Sequence, residues 1–256
     1  MSAEFSQLKT ARPASLTRRI VLQSRYETST MLRNGEQLIL AIVLPLLGLI
    51  ALVVTPLLDN LGNSRINVAT PGILALCAMS TAFTGQGIAT GFDRRYGVLR
   101  FLSTTPLGRG GLIAGKVIAV LAVLVIQALV ITVVALFLGW HPDFPGLLLG
   151  IPLLILGALS FTSLGLLIAG TARPEATLAL TNLLWILLGA LGGIVLPPSR
   201  SPGLMTDIVQ FLPSGALGEA MRTAMLGGGL NVLAVIVLLL WAVVASAAAV
   251  KWFKWS

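Results

Sequence analysis

The sequence predicts an all-α integral membrane protein with six transmembrane helices, and three observations predict it. Of its 256 residues, 56% are hydrophobic and 10% charged, with a mean hydropathy of +0.96. Soluble chains carry about 25% charged residues, so this chain has too few charges to solvate a globular surface. Six apolar runs are long enough to cross a hydrocarbon core of about 30 Å, which takes about 20 residues. They fall at Gln37 to Leu58, Pro71 to Gly91, Gly111 to Gly139, Gly146 to Thr171, Ala176 to Leu196 and Asn231 to Val250. Finally, the loops sort the 17 basic residues, with 14 on one side and only Arg65, Arg200 and Arg222 on the other. The positive-inside rule then places both termini in the cytoplasm. Residues 1–36 read as a cytoplasmic or interfacial segment, 37–250 as the six-span bundle and 251–256 as a cytoplasmic tail, all in one membrane domain.

Composition also excludes chemistry. The only cysteine, Cys77, and the only histidine, His141, rule out an internal disulfide, a multi-thiolate metal site and a His-paired metal motif. A net charge of +8 would suggest a nucleic-acid partner in a soluble chain. In a membrane protein it reports sidedness, and no nucleic acid is expected.

The first 36 residues lack the short apolar core and small-residue cleavage site of a secretory signal. From Ser15 to Asn34, Arg18, Arg25 and Arg33 gather on one helical face with Leu16, Ile20 and Met31 opposite. This predicts an N-terminal helix in the inner headgroup layer, in contact with membrane lipids, its arginine stems snorkelling. Ser24 and Glu27 interrupt its apolar face, which leaves a partly ordered tail as the other reading.

Pro45, Pro56 and Pro152 are expected to kink their spans. Gly87 and Gly91, Gly146 and Gly150, and Gly189 and Gly193 stand at GxxxG spacing, which allows close backbone approach within or between subunits. The spans contain no Asp, Glu, Arg or His near a midplane, so proton transfer or ion coupling inside this chain is not expected. Thr84, Gln86, Gln127, Thr181 and Asn182 are the candidate lining of a pathway for an amphipathic substrate. Their other reading is interhelical hydrogen bonding, worth about 0.6 kcal/mol each on average. Cys77 and Ser80 are read as packing residues.

The loop from Phe92 to Arg109 carries Phe92, Tyr96, Val98, Leu99, Phe101 and Leu102 among its charges. A solvated loop needs none of these, and burying one stabilises by about 1.5 to 3 kcal/mol. Phe92, Tyr96 and Leu99 at i, i+4 and i+7 predict one amphipathic helix with Asp93 near its start, ending before Pro106. Periodicity leaves open whether its apolar face meets a partner or the inner leaflet.

The order Asp93, Arg94, Gly97, Leu99, Leu102, Pro106, Leu107, Arg109, Gly115 and Lys116 resembles the segment between the second and third spans of the type-2 ABC exporter permeases. Leu32-Arg33-Asn34 through Pro45-Leu46, and Leu212-Pro213 through Met221-Arg222 to Gly227-Gly228, resemble further segments of that family. The resemblance covers nearly the whole chain, and Arg100 departs from it where an acidic or neutral residue is usual. It implies a cytoplasmic coupling helix that docks into a separate ATPase subunit through Phe92, Asp93, Arg94, Tyr96, Gly97, Leu99, Phe101, Leu102 and Pro106. It also implies a second permease subunit, identical or related, and a bacterial cytoplasmic membrane. This chain would bind no cofactor, with ATP and Mg held by the partner subunit. Gly110 to Lys116 imitates a phosphate-binding P-loop, but Val117 replaces the required Ser or Thr and no strand precedes it. Lys116 is read instead as an interfacial anchor.

From Pro197 to Gly229 the chain is too broken by proline and glycine for a seventh span. Met205, Ile208, Val209 and Leu212, then Leu217, Ala220, Met221, Ala224 and Met225, keep helical spacing. Two short helices follow, re-entrant by the resemblance, with Met205, Phe211, Met221 and Met225 as a candidate outer gate. Glu219 and Arg222 are spaced to pair. The function expected is an exporter permease without a catalytic site. A membrane scaffold that recruits a soluble partner through the same loop is the alternative, and the missing intramembrane charge disfavours an ion-coupled carrier.

Overall fold

A computed structural model describes residues 14–59, 63–197 and 204–255, with the side chains of 204–206 outside that description. Expectations for Lys9, Arg12 and Arg200 and for the Met205 side chain therefore lie outside the described residues. The elements are α1 (Leu16–Arg33), α2 (Gly35–Val54), α3 (Arg65–Met79), α4 (Gln86–Arg95), α5 (Val98–Ser103) and α6 (Gly108–Phe137). They continue as α7 (Phe144–Thr171), α8 (Pro174–Ala190), α9 (Leu204–Val209), α10 (Pro213–Met225) and α11 (Val232–Trp252). No strand occurs among the described residues. Five helical stretches are long and apolar enough to cross a bilayer, and α8, with 17 residues, is a shorter sixth. The chain is an all-α multi-pass membrane protein.

α3 and α4 form one 31-residue span, Arg65–Arg95, joined through a π-helical segment at Ser80–Gly85. The expected start at Pro71 is six residues late, because Pro71 is tolerated inside the helix. α2 ends at Val54 and Pro56 opens a 3₁₀ turn rather than kinking the span, while Pro45 and Pro152 do lie inside α2 and α7. Arg65 secures that end: it donates to both Asp59 carboxylate oxygens at 2.6 and 2.9 Å and to the carbonyls of Val53 and Val54.

α7 is the central post, contacted by α3, α4, α6, α10 and α11. Its glycines permit this. A Cβ at Gly146 would fall 2.5 Å from Ala224 O, at Gly150 2.5 Å from Met225 Cε, and at Gly157 2.6 Å from Leu217 Cδ2. α10 therefore runs along the first half of α7, reaching eleven residues from Gly146 to Gly157, about 16 Å at 1.5 Å per residue. That is a re-entrant course. The close approach at Gly146–Gly150 lies inside one subunit, as does the Gly87–Gly91 seam, which receives the methyls of Thr181 and Thr177 of α8.

The expected fifth span through Leu196 is corrected. α8 stops at Ala190, and Leu191 to Val195 continue as irregular backbone. Irregular backbone at membrane depth is tolerated only where protein covers it. Here Gly218 of α10 and Gly72 of α3 supply the cover, since a Cβ on either would lie 2.7 or 3.0 Å from Ile194 O.

Gly218→Ala is expected to lower stability by about 1 to 3 kcal/mol through overpacking against backbone, a fall of roughly 2 to 10 °C in midpoint for a chain of this size. Gly35→Ala, where a Cβ meets nothing within 4 Å, is expected to change nothing. Thermal exposure of the single cysteine Cys77, fully buried in α3, to a thiol-reactive fluorophore measures both.

Candidate functional site

The loop between the second and third spans is not one helix. α4 closes at Arg95, Gly97 takes a left-handed conformation (φ 78°), and α5 begins at Val98. A side chain in that conformation is disfavoured and Gly is not, so Gly97 breaks the i, i+4, i+7 face the spacing suggests. Asp93 accordingly stands in the last turn of α4, not at a helix start. Phe92 and Tyr96 stay together, stacked with ring centroids 6.1 Å apart.

The break turns α5 so that its apolar residues face opposite ways. Leu99 is fully buried with Leu107, Leu112 and Phe253, and Leu102 packs beside them. Phe101 and Tyr96 are 71% and 74% exposed, with Arg95, Arg100 and Pro106 also open. The expected docking set therefore divides: Leu99 and Leu102 seat the helix, while Phe92, Tyr96, Phe101 and Pro106 are presented outward. Arg94 is also structural, donating from Nη1 to Ala169 O and Ala172 O at 3.3 and 2.8 Å, which ties α4 to the end of α7. Arg109 reaches the carbonyls of Val250 and Lys251 at the end of α11. One end of the bundle is thus fastened around α5.

Beneath that loop lies a buried charge that the sequence reading placed at the interface. Lys116, in the third turn of α6, has no exposed surface. Its Nζ lies 2.9 Å from Glu27 Oε1 and 3.3 Å from Asp93 Oδ2. Gln23 Nε2 donates to Glu27 Oε1 at 2.8 Å. The expected faces of α1 hold, with Arg18, Arg25 and Arg33 exposed and Ile20 and Met31 partly covered, but the residues buried on that covered face are the polar Gln23, Ser24 and Glu27, and Leu16, Val21, Leu22 and Tyr26 are left uncovered. A buried cation needs a partner more than a leucine facing lipid needs cover. The polar residues that interrupt the apolar face of α1 are the signal for this pairing. Gly110 to Lys116 is helical throughout, and Gly115 supplies the close approach, as a Cβ there would fall 2.8 Å from Gln23 Cγ.

The expected pathway residues separate in the same way. Gln127 is fully buried, accepting from Thr81 Oγ1 at 2.9 Å and donating to Ala41 O at 2.8 Å, so it staples α2 and the π segment to α6. Thr181 is buried and bonds Thr177 O. Gln86 donates to Met31 Sδ at 3.2 Å, whereas Gln86 Oε1 and Thr84 Oγ1 are buried without a protein partner. Asn182 alone is exposed on the chain's surface.

At the opposite end Met221 and Met225 are core residues packed on Gly150. Phe211 is exposed, and its carbonyl accepts from Trp241 Nε1 at 2.9 Å. The charged residue here is Arg222, 3% exposed, which donates to Ile194 O at 2.9 Å and Gly193 O at 2.8 Å. Glu219 lies 3.3 Å away, the pair its spacing suggests. Arg222 thus satisfies the irregular carbonyls where α8 ends.

With this geometry in place, the chain matches the family model described as ABC-2 type transporter over residues 19–226. The chain belongs to the ABC-2 type transporter family. It is also 31% identical over 155 residues to a Bacillus subtilis (strain 168) protein named "Putative transport permease YvfS", a match spanning 59% of this chain and 62% of that relative. The matched family region begins inside α1 and ends just after α10, so it contains the α5 loop, the Lys116 cluster and the Arg222 clamp.

Arg222→Gln is expected to leave two buried carbonyls without their charged donor and cost at least about 2 kcal/mol, roughly 4 to 8 °C in the Cys77 exposure midpoint. Glu219→Gln, at a side chain 42% exposed, is expected to cost under about 1 kcal/mol.

Proposed function

We propose that this chain is the permease of an ATP-driven exporter, moving a hydrophobic or amphipathic substrate such as a drug, lipid, polyketide or glycan precursor outward across a bacterial cytoplasmic membrane. A separate ATPase subunit hydrolyses ATP with its own Mg, and no residue of this chain does covalent chemistry. The end bearing α1, α5 and the C-terminus faces the cytoplasm. Two copies, or this chain with a related one, enclose the pathway. Of the five candidate lining residues, Asn182 is the one that such a pairing could use directly.

The observation that carries the reading is the division of α5. Leu99 anchors it inward while Phe101, Tyr96, Arg95 and Arg100 face out. Asp93, the acidic residue of this stretch, is turned inward to Lys116. The offered face is aromatic and cationic, so the matching groove on the ATPase combines apolar surface with acidic side chains. Arg100, unusual by resemblance, belongs to that face. Rigid-body displacement of α5 by the ATPase would change which side of the membrane the pathway opens to.

Tagged chain purified from native membranes is expected to carry an ATPase, identified by mass spectrometry. Phe101→Glu and Arg100→Glu are each expected to reduce its recovery on the order of tenfold or more, as loss of an interface hot spot does. Leu99→Ala removes a buried side chain at a cost of about 2 to 5 kcal/mol and is expected to show as lower thermal stability of the chain itself. Recovery of a non-ATPase partner through the same face, without any ATPase, would favour the scaffold reading.

A further inference from the structure

The mechanism above uses the outward face of α5 and leaves the buried charges beneath it unexplained. Lys116 is fully buried between two carboxylates that come from different elements, Glu27 of α1 and Asp93 of α4. Asp93 lies four residues before the Gly97 break, at the base of the α5 loop. α1 touches the rest of the chain mainly along α6 and hardly at all on α2, although only Asn34 separates α1 from α2. Along α6 the polar Gln23 and Ser24 lie against Gly115, and one large apolar residue, Ile20, lies near Gly111 and packs on the cluster of Leu99, Leu107 and Leu112. Such a face has little apolar contact to hold it. Leu16, Val21, Leu22 and Tyr26 point away from α6, so nothing apolar on that side binds α1 to the bundle.

We propose that Lys116 is a positioning residue that clamps α1 against the base of the α5 loop, holding the two helices in fixed relation through the Glu27–Lys116–Asp93 bridge. The inference rests on the exporter reading for its consequence, which is that displacement of α5 is delivered to α1, and so to the start of α2, as well as to α6. The clamp itself is a property of this chain alone. Removing one member of a buried ion cluster leaves uncompensated charge that must find water, whereas removing all members can be neutral. If the bridge itself holds α1, both changes free the helix; if packing holds it, only the unpaired charge does.

The test uses the chain in inverted membrane vesicles, without any ATPase, in a Cys77→Ser background carrying Ser24→Cys. Ser24 is 7% exposed, on the face of α1 turned to Gly115. The rate of labelling by a membrane-impermeant maleimide is the readout. Labelling is expected to be slow in the parent and on the order of tenfold or more faster with Lys116→Met. It is expected to stay fast when Glu27→Gln and Asp93→Asn are added to Lys116→Met, because the bridge is then gone with no buried charge left unpaired. Glu27→Gln alone changes only α1, and its labelling is expected to rise. It decides the matter by the same criterion if Lys116→Met does not accumulate in the membrane. Gly115→Leu, which displaces α1 by bulk, calibrates the fast limit. Labelling of Lys116→Met and Glu27→Gln within about twofold of the parent, with Gly115→Leu fast, would show that packing holds α1 and would overturn the clamp. Slow labelling in the triple variant would overturn it equally, because packing would then hold α1 without the bridge. Failure of an ATPase to co-purify would sink the exporter reading and leave this result standing.

Discussion

Along the sides of this bundle there is no water to take up a hydrogen bond, and that constraint organises the rest of the structure. A leucine gains little by leaving lipid for protein, so apolar contact alone selects few of the possible helix arrangements. A buried amine, guanidinium or open carbonyl has no such freedom. Three groups fix the arrangement accordingly: Lys116 joins α6 to α1 and α4, Gln127 joins α6 to α2 and the π segment, and Arg222 joins α10 to the broken end of α8. Each lies where helix packing would otherwise be degenerate.

These polar joints require close backbones, and the small residues supply them. Gly115 lets Glu27 reach Lys116, and Gly218 brings α10 near enough for Arg222 to meet Ile194 O. The two ends of the bundle then differ in kind. At one, an amine and two carboxyl groups share a buried site around a loop fastened to α6, α7 and α11. At the other, one guanidinium holds backbone that a helix has abandoned. The first arrangement joins elements through side chains and can shift as a unit. The second replaces missing helical hydrogen bonds and fixes the shape of a re-entrant helix.

Much of this was legible in the sequence, for a physical reason. Span existence follows from apolar length, which no tertiary contact can overrule in a bilayer, and α2, α6, α7 and α11 stand where their runs predict. Helical spacing likewise found α10, and the three-residue spacing found the Glu219–Arg222 pair. What periodicity missed were non-local pairings. Lys116 looks like an anchor until Glu27, 89 residues earlier, is placed beside it. Met221 and Met225 look like an adaptable surface until α7 presents Gly150 to them. Leu99 shares a helical face with Tyr96 only if the helix is continuous, and Gly97 decides that it is not. The local clue was Glu27 itself, whose interruption of the apolar face of α1 reads as a break in a surface helix until Lys116 is set beside it.

The division of α5 also bears on how so short an element would carry force in the proposed coupling role. A six-residue helix is far below the length at which an isolated helix persists in water, so push or pull on Phe101 would unravel it if nothing held the opposite face. Leu99, set among Leu107, Leu112 and Phe253, is that hold. Displacement applied at the exposed ring is therefore passed to the buried leucine, and from it to the first turns of α6 and the end of α11, before it can be lost in melting of the loop. Gly97 and Gly108, both at positive φ, bracket the helix and let it tilt without bending α4 or α6. A longer, continuous helix with every apolar residue on one face would dock as well, but it would have no inward residue through which to act.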